Sequence, residues 1–195
     1  TAFIDVPAGV AIPIGIAPAS SASAADTIPG IGTTFTLTAG QTYAVIANGV
    51  TAPGSFAVNP DGRSTAFTFF VKEGVRTSAA VSSEVDFVVL HGATDAPTVD
   101  VIANGALTIV NDAAYGDITN YINVPAASYA LGITPAAGAP VLLTYTADLT
   151  TLAGGAAVVF ASGFLDPATN QNGPGFGLYA ALPNGTVIPF TNTTS

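Results

Sequence analysis

The sequence predicts an all-β chain of two β-sandwich domains, the first lacking its opening strands. Three observations predict this. Short β-branched runs stop at glycine, turn residues are too dense for long helices, and an internal repeat is longer at the start of its second copy.

The 195 residues include 14 prolines and 21 glycines, which oppose long helices. Residues are 49% apolar and 8% charged, so the chain can bury a sizeable core and disorder is disfavoured. Mean hydropathy is +0.57, yet no apolar run reaches the roughly 18 residues of a spanning helix. The stretch "VPAGVAIPIGIAPA" is cut by Pro7, Pro13 and Pro18, so no membrane insertion is expected.

Net charge is −9, with only Arg63, Lys72 and Arg76 opposing twelve acids. No basic patch can form, which excludes nucleic acid and anionic lipid surfaces as expected partners. The absence of cysteine excludes disulfides and thiolate metal sites. With no methionine, Thr1 is not an initiator, so the chain is expected to be a processed product or a fragment. Few lysines, abundant Thr, Ser, Ala and Gly, and almost no oxidisable side chains suit an extracellular or cell-surface protein.

Taken in order, "AIPIGI" reads as a strand whose Pro13 cannot donate to a ladder, so it is expected at an edge or bulge. "TTFTLT" alternates, with Phe35 and Leu37 on one face and Thr34, Thr36 and Thr38 on the other. "TYAVIANG" and "AAVVFASG" are short, β-branched and end at glycine, as do "VDFVVLHG" and "TVDVIANG". Asn-Gly pairs at Asn48, Asn104 and Asn184 suit tight turns with positive φ. "TSAAVSSE", Thr77 to Glu84, reads as a linker. Many short strands with frequent turns argue for immunoglobulin-like β-sandwiches. Val88, Leu90, Val99, Val101, Ile122, Val124, Val158 and Phe160 are expected to point inward.

The repeat sets the domain organisation. "TAFIDVPAG" at Thr1 shares a frame with "TNYINVPAA" at Thr119, pairing Ile4 with Ile122, Val6 with Val124 and Pro7 with Pro125. Gly15 then matches Gly132, Pro18 matches Pro135, Gly40 matches Gly154 and Gly49 matches Gly163. The chain thus holds two copies of one domain, expected at 1–80 and 81–195. The stretch from Val85 to Ile118 has no counterpart in the first copy.

The runs "VVLHGATDAPTVDVIANG", "AYGDITNYINVPAASYALGITPA" and "LAGGAAVVFASG" carry a resemblance. They are similar to the secreted bacterial family catalogued as domain of unknown function 4397. His91, Asp95, Pro97, Val99, Asp100, Asn104, Gly105, Gly116, Asp117, Tyr121, Val124, Pro125, Tyr129 and Gly154 fit its pattern, while Ala127 stands where the family favours glycine. The resemblance implies an extracellular β-sandwich, commonly in tandem, and supplies no catalytic residues.

No catalytic site is expected. His91 is the sole histidine and could pair with Asp95 and a serine, but no G-x-S-x-G elbow exists and no cysteine is present. The reading preferred is that His91 ends a strand and hydrogen-bonds the next turn. Among the acids, Asp95 and Asp100 lie close in sequence, and "DPATNQNG" offers Asp166, Asn170 and Asn172 as calcium ligands. Neither set matches a calcium-loop pattern, and Asp and Asn also serve turns. No cofactor is expected. "NGPGFG" lacks the Lys and helix of a phosphate loop. Asn184-Gly-Thr186 and Asn192-Thr-Thr194 are acceptor sequons for covalent glycans where the producing cell has the transferase.

Three explanations of the short first copy compete: truncation, a smaller self-sufficient sandwich, or completion by a strand from another molecule. The third is preferred, because a sandwich lacking strands exposes unpaired edges that recruit strands. Phe3, Ile4, Val6, Phe35 and Leu37 are expected to line its groove. The tail, through Val187, Ile188 and Phe190, is expected as donor, with the N-terminal segment as the mirror alternative. Donor at one end and acceptor at the other propagate a head-to-tail homopolymer. The expected function is a structural subunit of an extracellular fibre, the alternative a monomeric adhesion or carbohydrate-binding module.

Overall fold

The structure is a computed structural model that describes residues 3–194. The fold is all-β: among the described residues the only helical elements are single 3-10 turns at Ala24–Asp26, Pro53–Ser55 and Pro167–Thr169. Among the described residues no helix is long and apolar enough to cross a membrane. The described chain forms two compact units. The smaller holds Ile4–Thr51 and Ala66–Val75, and the larger holds Phe3, Ala52–Thr65 and residues 76–194.

The smaller unit contains β1 (Ala11–Gly15), β2 (Gly32–Thr36), β3 (Tyr43–Asn48) and β4 (Thr68–Glu73). They make two antiparallel pairs, β1 with β2 and β3 with β4. Pro13 sits opposite Thr34 in a two-stranded sheet, where every strand is an edge and the missing donor is tolerated. The Phe69 ring lies edge-on to Phe35 at 6.1 Å and to Phe67 at 5.3 Å, linking the two pairs. Burial is shallow. Among the described residues only Val50 and Val75 are buried apolar side chains of this unit.

The larger unit contains β5 (Glu84–His91), β6 (Val99–Ala103), β7 (Leu107–Ala113), β8 (Ile122–Pro125), β9 (Ser128–Pro135), β10 (Leu143–Asp148), β11 (Ala156–Ser162), β12 (Gly177–Ala181), β13 (Val187–Pro189) and β14 (Thr191–Asn192). One sheet runs β14-β10-β9-β6-β7 and the other β13-β12-β11-β5-β8. Every pairing is antiparallel except β5 with β11, which is parallel. Side chains from both sheets meet in one core: Val85, Phe87, Val124 and Val159 from one, Val101, Leu131, Ile133 and Tyr145 from the other. Each large apolar side chain buried this way contributes about 1.5–3 kcal/mol.

The expected inward set divides. Val99, Val101, Ile122 and Val124 belong to this core or pack on it. Val88, Leu90, Val158 and Phe160 do not; Val85, Phe87 and Val89 of β5, and Ala157, Val159 and Ala161 of β11, take that face. Val88 and Leu90 are nonetheless fully buried on the opposite face, beside Asp86. A strand apolar on both faces has no alternation to reveal which face is which.

The units do not follow chain order. Ala52–Thr65, between β3 and β4 in sequence, packs in the larger unit. Phe56 stacks on Phe164 at 5.7 Å. The buried Asn59 amide donates to the carbonyls of Thr94 and Ala96 at 2.9 and 3.1 Å. Asp61 accepts from the Thr98 hydroxyl at 2.8 Å, and Arg63 pairs with Asp117 at 2.8 Å. A segment without a ladder thus satisfies its polar groups through side chains.

Candidate functional site

The repeat is a structural one. β1 pairs with β2 as β9 pairs with β10, and β3 pairs with β4 as β11 pairs with β12. Gly49 ends β3 at φ 90° and its match Gly163 ends β11 at φ 83°. In each copy the next residue forms an isolated parallel bridge, Val50 with Ala66 and Phe164 with Gly175. Gly40 and Gly154, at φ 75° in both, turn the chain into these strands.

The copies differ in what lies beside those strands. β9 has a second neighbour, β6, and β11 has a second neighbour, β5. Among the described residues β1 and β3 have one partner each. Ile4–Pro7 match β8, whose only ladder partner among the described residues is β5. With no such strand beside them, residues 4–7 form no strand, and Ile4 and Val6 are 75% and 43% exposed. Phe3 is also exposed, whereas Phe35 and Leu37 are half-buried.

The expected donor is paired within its own unit. In β13, Val187 lies opposite Ala181 and Ile188 opposite Ala180 of β12. Phe190 packs against the core and its amide donates to Leu178 at 2.8 Å. β14 then pairs with β10 through Thr191 and Asn192. Apolar residues near a chain end fit a home edge as well as a foreign one, which is why the sequence alone points to the tail without showing where it docks.

His91 ends β5, and its Nε2 meets the carbonyl of Pro97 in the following turn at 3.0 Å. Because a carbonyl only accepts, that nitrogen carries the proton. Nδ1 is buried without a partner, and burial lowers the ring's pKa below the ordinary 6.5. The ring borders an apolar cavity of about 180 Å³, lined also by Val99, Leu142, Leu165 and Phe176.

Asp95 gathers the loop after β11. Its carboxylate accepts the amides of Leu165 and Asp166, both at 2.9 Å, and the Asn170 side-chain amide at 2.9 Å.

The segment just described, from β5 to the Asp166 loop, is the one that a family comparison picks out: residues 85–172 match the family described as domain of unknown function (DUF4397). This segment is a DUF4397 domain. The first copy lies outside the matched residues. No curated protein and no solved structure matches the chain.

Within the DUF4397 domain, the three candidate calcium ligands are occupied otherwise or lie apart. Asn170 is fully buried. Its Nδ2 donates to Asp95 and to the Asp166 carbonyl at 2.8 Å, and its Oδ1 accepts from Ala57 at 3.0 Å. Asp166 Oδ1 accepts from Ala168 at 3.1 Å as a cap, and Asn172 sits at φ 54° in the turn. Among the described residues no three His, Cys, Asp or Glu side chains cluster as a metal site. Asp100 Oδ1 accepts the amide of Asp112 at 2.7 Å, holding a β6–β7 bulge at φ 52°. Asn170, which the sequence offers only as a calcium candidate, and Asn59, which it does not single out, are structural centres, a role hidden in the sequence because an Asn in a Gly/Pro-rich run reads as a surface turn.

Both acceptor asparagines, Asn184 and Asn192, are exposed. The side chain of Asn184 accepts from Thr186 at 2.9 Å. Asn192 Nδ2 donates to the Tyr145 hydroxyl at 3.3 Å, so Asn184 is the less engaged acceptor.

Proposed function

We propose that the protein is a non-enzymatic structural subunit of an extracellular fibre, built from immunoglobulin-like domains joined head to tail by strand exchange between copies. One observation carries this reading: among the described residues β1 and β3 each have a single ladder partner where their counterparts β9 and β11 have two. Unpaired strand edges beside a shallow core recruit further strands. The half-buried Ile12, Ile14, Phe35 and Phe69 are apolar surface that an added strand would cover. Scarce charge suits surfaces buried by neighbours or coated by glycans. The C-terminal tail is the proposed donor. It is held at home by three residue pairs in β13 and two in β14, so exchange trades one short ladder for another.

Negative-stain microscopy of the purified full chain tests the reading. Long uniform filaments are expected. Compact particles at every concentration would favour a monomeric adhesion or carbohydrate-binding module instead.

A further inference from the structure

We infer that Ile4–Pro7 and β3 are the two walls of one strand-acceptor slot. The tail of a second copy enters it parallel to β3 and antiparallel to Ile4–Pro7. The inference rests on the strand-exchange reading and specifies where and in which direction the exchanged strand lies.

The larger unit supplies the template. There β5 lies between β8 and β11, antiparallel to the first and parallel to the second. Val88 pairs with Val158 and Leu90 with Phe160 on one side, while Val85 pairs with Val124 and Phe87 with Ile122 on the other. Through the glycine matches, Ala44 and Ile46 of β3 stand where Val158 and Phe160 stand in β11. Ile4 and Val6 stand where Ile122 and Val124 stand in β8. One incoming strand would therefore complete both walls. It accounts for two features at once: β3 has an open side, and a stretch whose counterpart is a strand remains irregular with its apolar side chains in solvent.

The occupant follows from the same comparison. β5 presents Val85, Phe87 and Val89 to the core at alternate positions. A substitute must offer alternate apolar side chains on a segment that can leave its present place. Ile188 and Phe190 are two residues apart and near the described chain's end. In their own unit Phe190 packs against the core and Ile188 pairs with the buried Ala180. The N-terminal segment is excluded as donor to this slot because it is one of the walls. Pro189 donates no amide, so the exchanged ladder lacks one bond at that position.

The absence of cysteine makes the geometry directly measurable. Full-length variants carry one cysteine at an exposed position just before β3 or near its end, Gln41→Cys or Ala47→Cys, and one in the tail, Thr186→Cys or Thr193→Cys. Parallel entry joins Gln41→Cys to Thr186→Cys and Ala47→Cys to Thr193→Cys across subunits. Oxidation of those two variants is expected to give a covalent ladder on a non-reducing gel, and the two crossed combinations are expected to give little. Val6→Asp is expected to reduce filament yield at least tenfold while the larger unit's melting is unchanged. Filaments with ladders only from the crossed pairs, or with no ladder, would overturn the slot and leave the fibre reading standing. Filaments undiminished by Val6→Asp would remove Ile4–Pro7 as a wall. A full-length chain that stays monomeric would remove the reading beneath both.

Discussion

Asn170 donates its side-chain amide to Asp95 at 2.9 Å across 75 residues of sequence, and both remaining directions of that buried side chain are filled by main-chain groups. Asn170→Asp replaces the donor with an acceptor facing a carboxylate. Removing one partner from a buried hydrogen-bonded group costs about 1–3 kcal/mol. Chemical denaturation is expected to show Asn170→Ala destabilised by about 2–3 kcal/mol, and Asn170→Asp by more near neutral pH.

Gly163 has little room for a side chain. A Cβ there would lie 2.2 Å from the Gly175 carbonyl oxygen, at φ 83°. Gly138 has a similar φ of 81° but open space around it. Gly163→Ala should cost roughly 3 kcal/mol or more and Gly138→Ala about 1–2 kcal/mol. Equal losses in thermal melts would contradict the close approach.

The two ion pairs should behave differently. Arg76 meets the wholly buried Asp86 and lies over the Tyr121 ring at 4.3 Å, whereas Arg63 and Asp117 are both partly in solvent. Arg76→Ala leaves a buried carboxylate facing only the Ala80 amide at 2.9 Å. Since Arg76 itself is 44% exposed, the loss is about 2–3 kcal/mol rather than the full value for a buried pair. Arg63→Ala should cost under about 1 kcal/mol. Urea midpoints of the two variants check the ranking.

His91 gives the fold a pH dependence with a defined sign. Burial lowers its pKa in the folded state below the ordinary 6.5. As pH falls from 6.5, the unfolded chain takes up a proton that the folded chain refuses, so stability declines until the folded ring also protonates. His91→Asn should be less stable near pH 8 and lose less on going from pH 8 to pH 5. An identical loss in the two proteins would show that carboxylates alone set the acid limb.

Strand positions and the repeat were legible because they depend on local chemistry: β-branched runs, and glycines held at positive φ at matched places such as Gly49 and Gly163. The facing of β5 and β11 was not, since Val88 and Val89 are equally apolar and only their neighbours distinguish them. The role of Asn170 required knowing that Ala57 and Asp95 meet it, contacts spanning 113 and 75 residues. The tail showed its strand character in sequence, but its pairing with β12 depends on an edge that no local pattern announces.

The tail crosses between the two sheets within a few residues. β13 closes the edge of one sheet, β14 closes the same side of the other, and Phe190 lies between them against the core. It therefore works as a clasp whose two halves are loaded together. Tension on the chain's end would peel β14 first, two residue pairs at a time scale set by their few bonds, then Phe190, then β13. β5, held by six residue pairs to β11 and four to β8 within its sheet, would feel the pull last. A molecule drawn out lengthwise would thus yield at its fastening before its framework, and could refasten when the load is released.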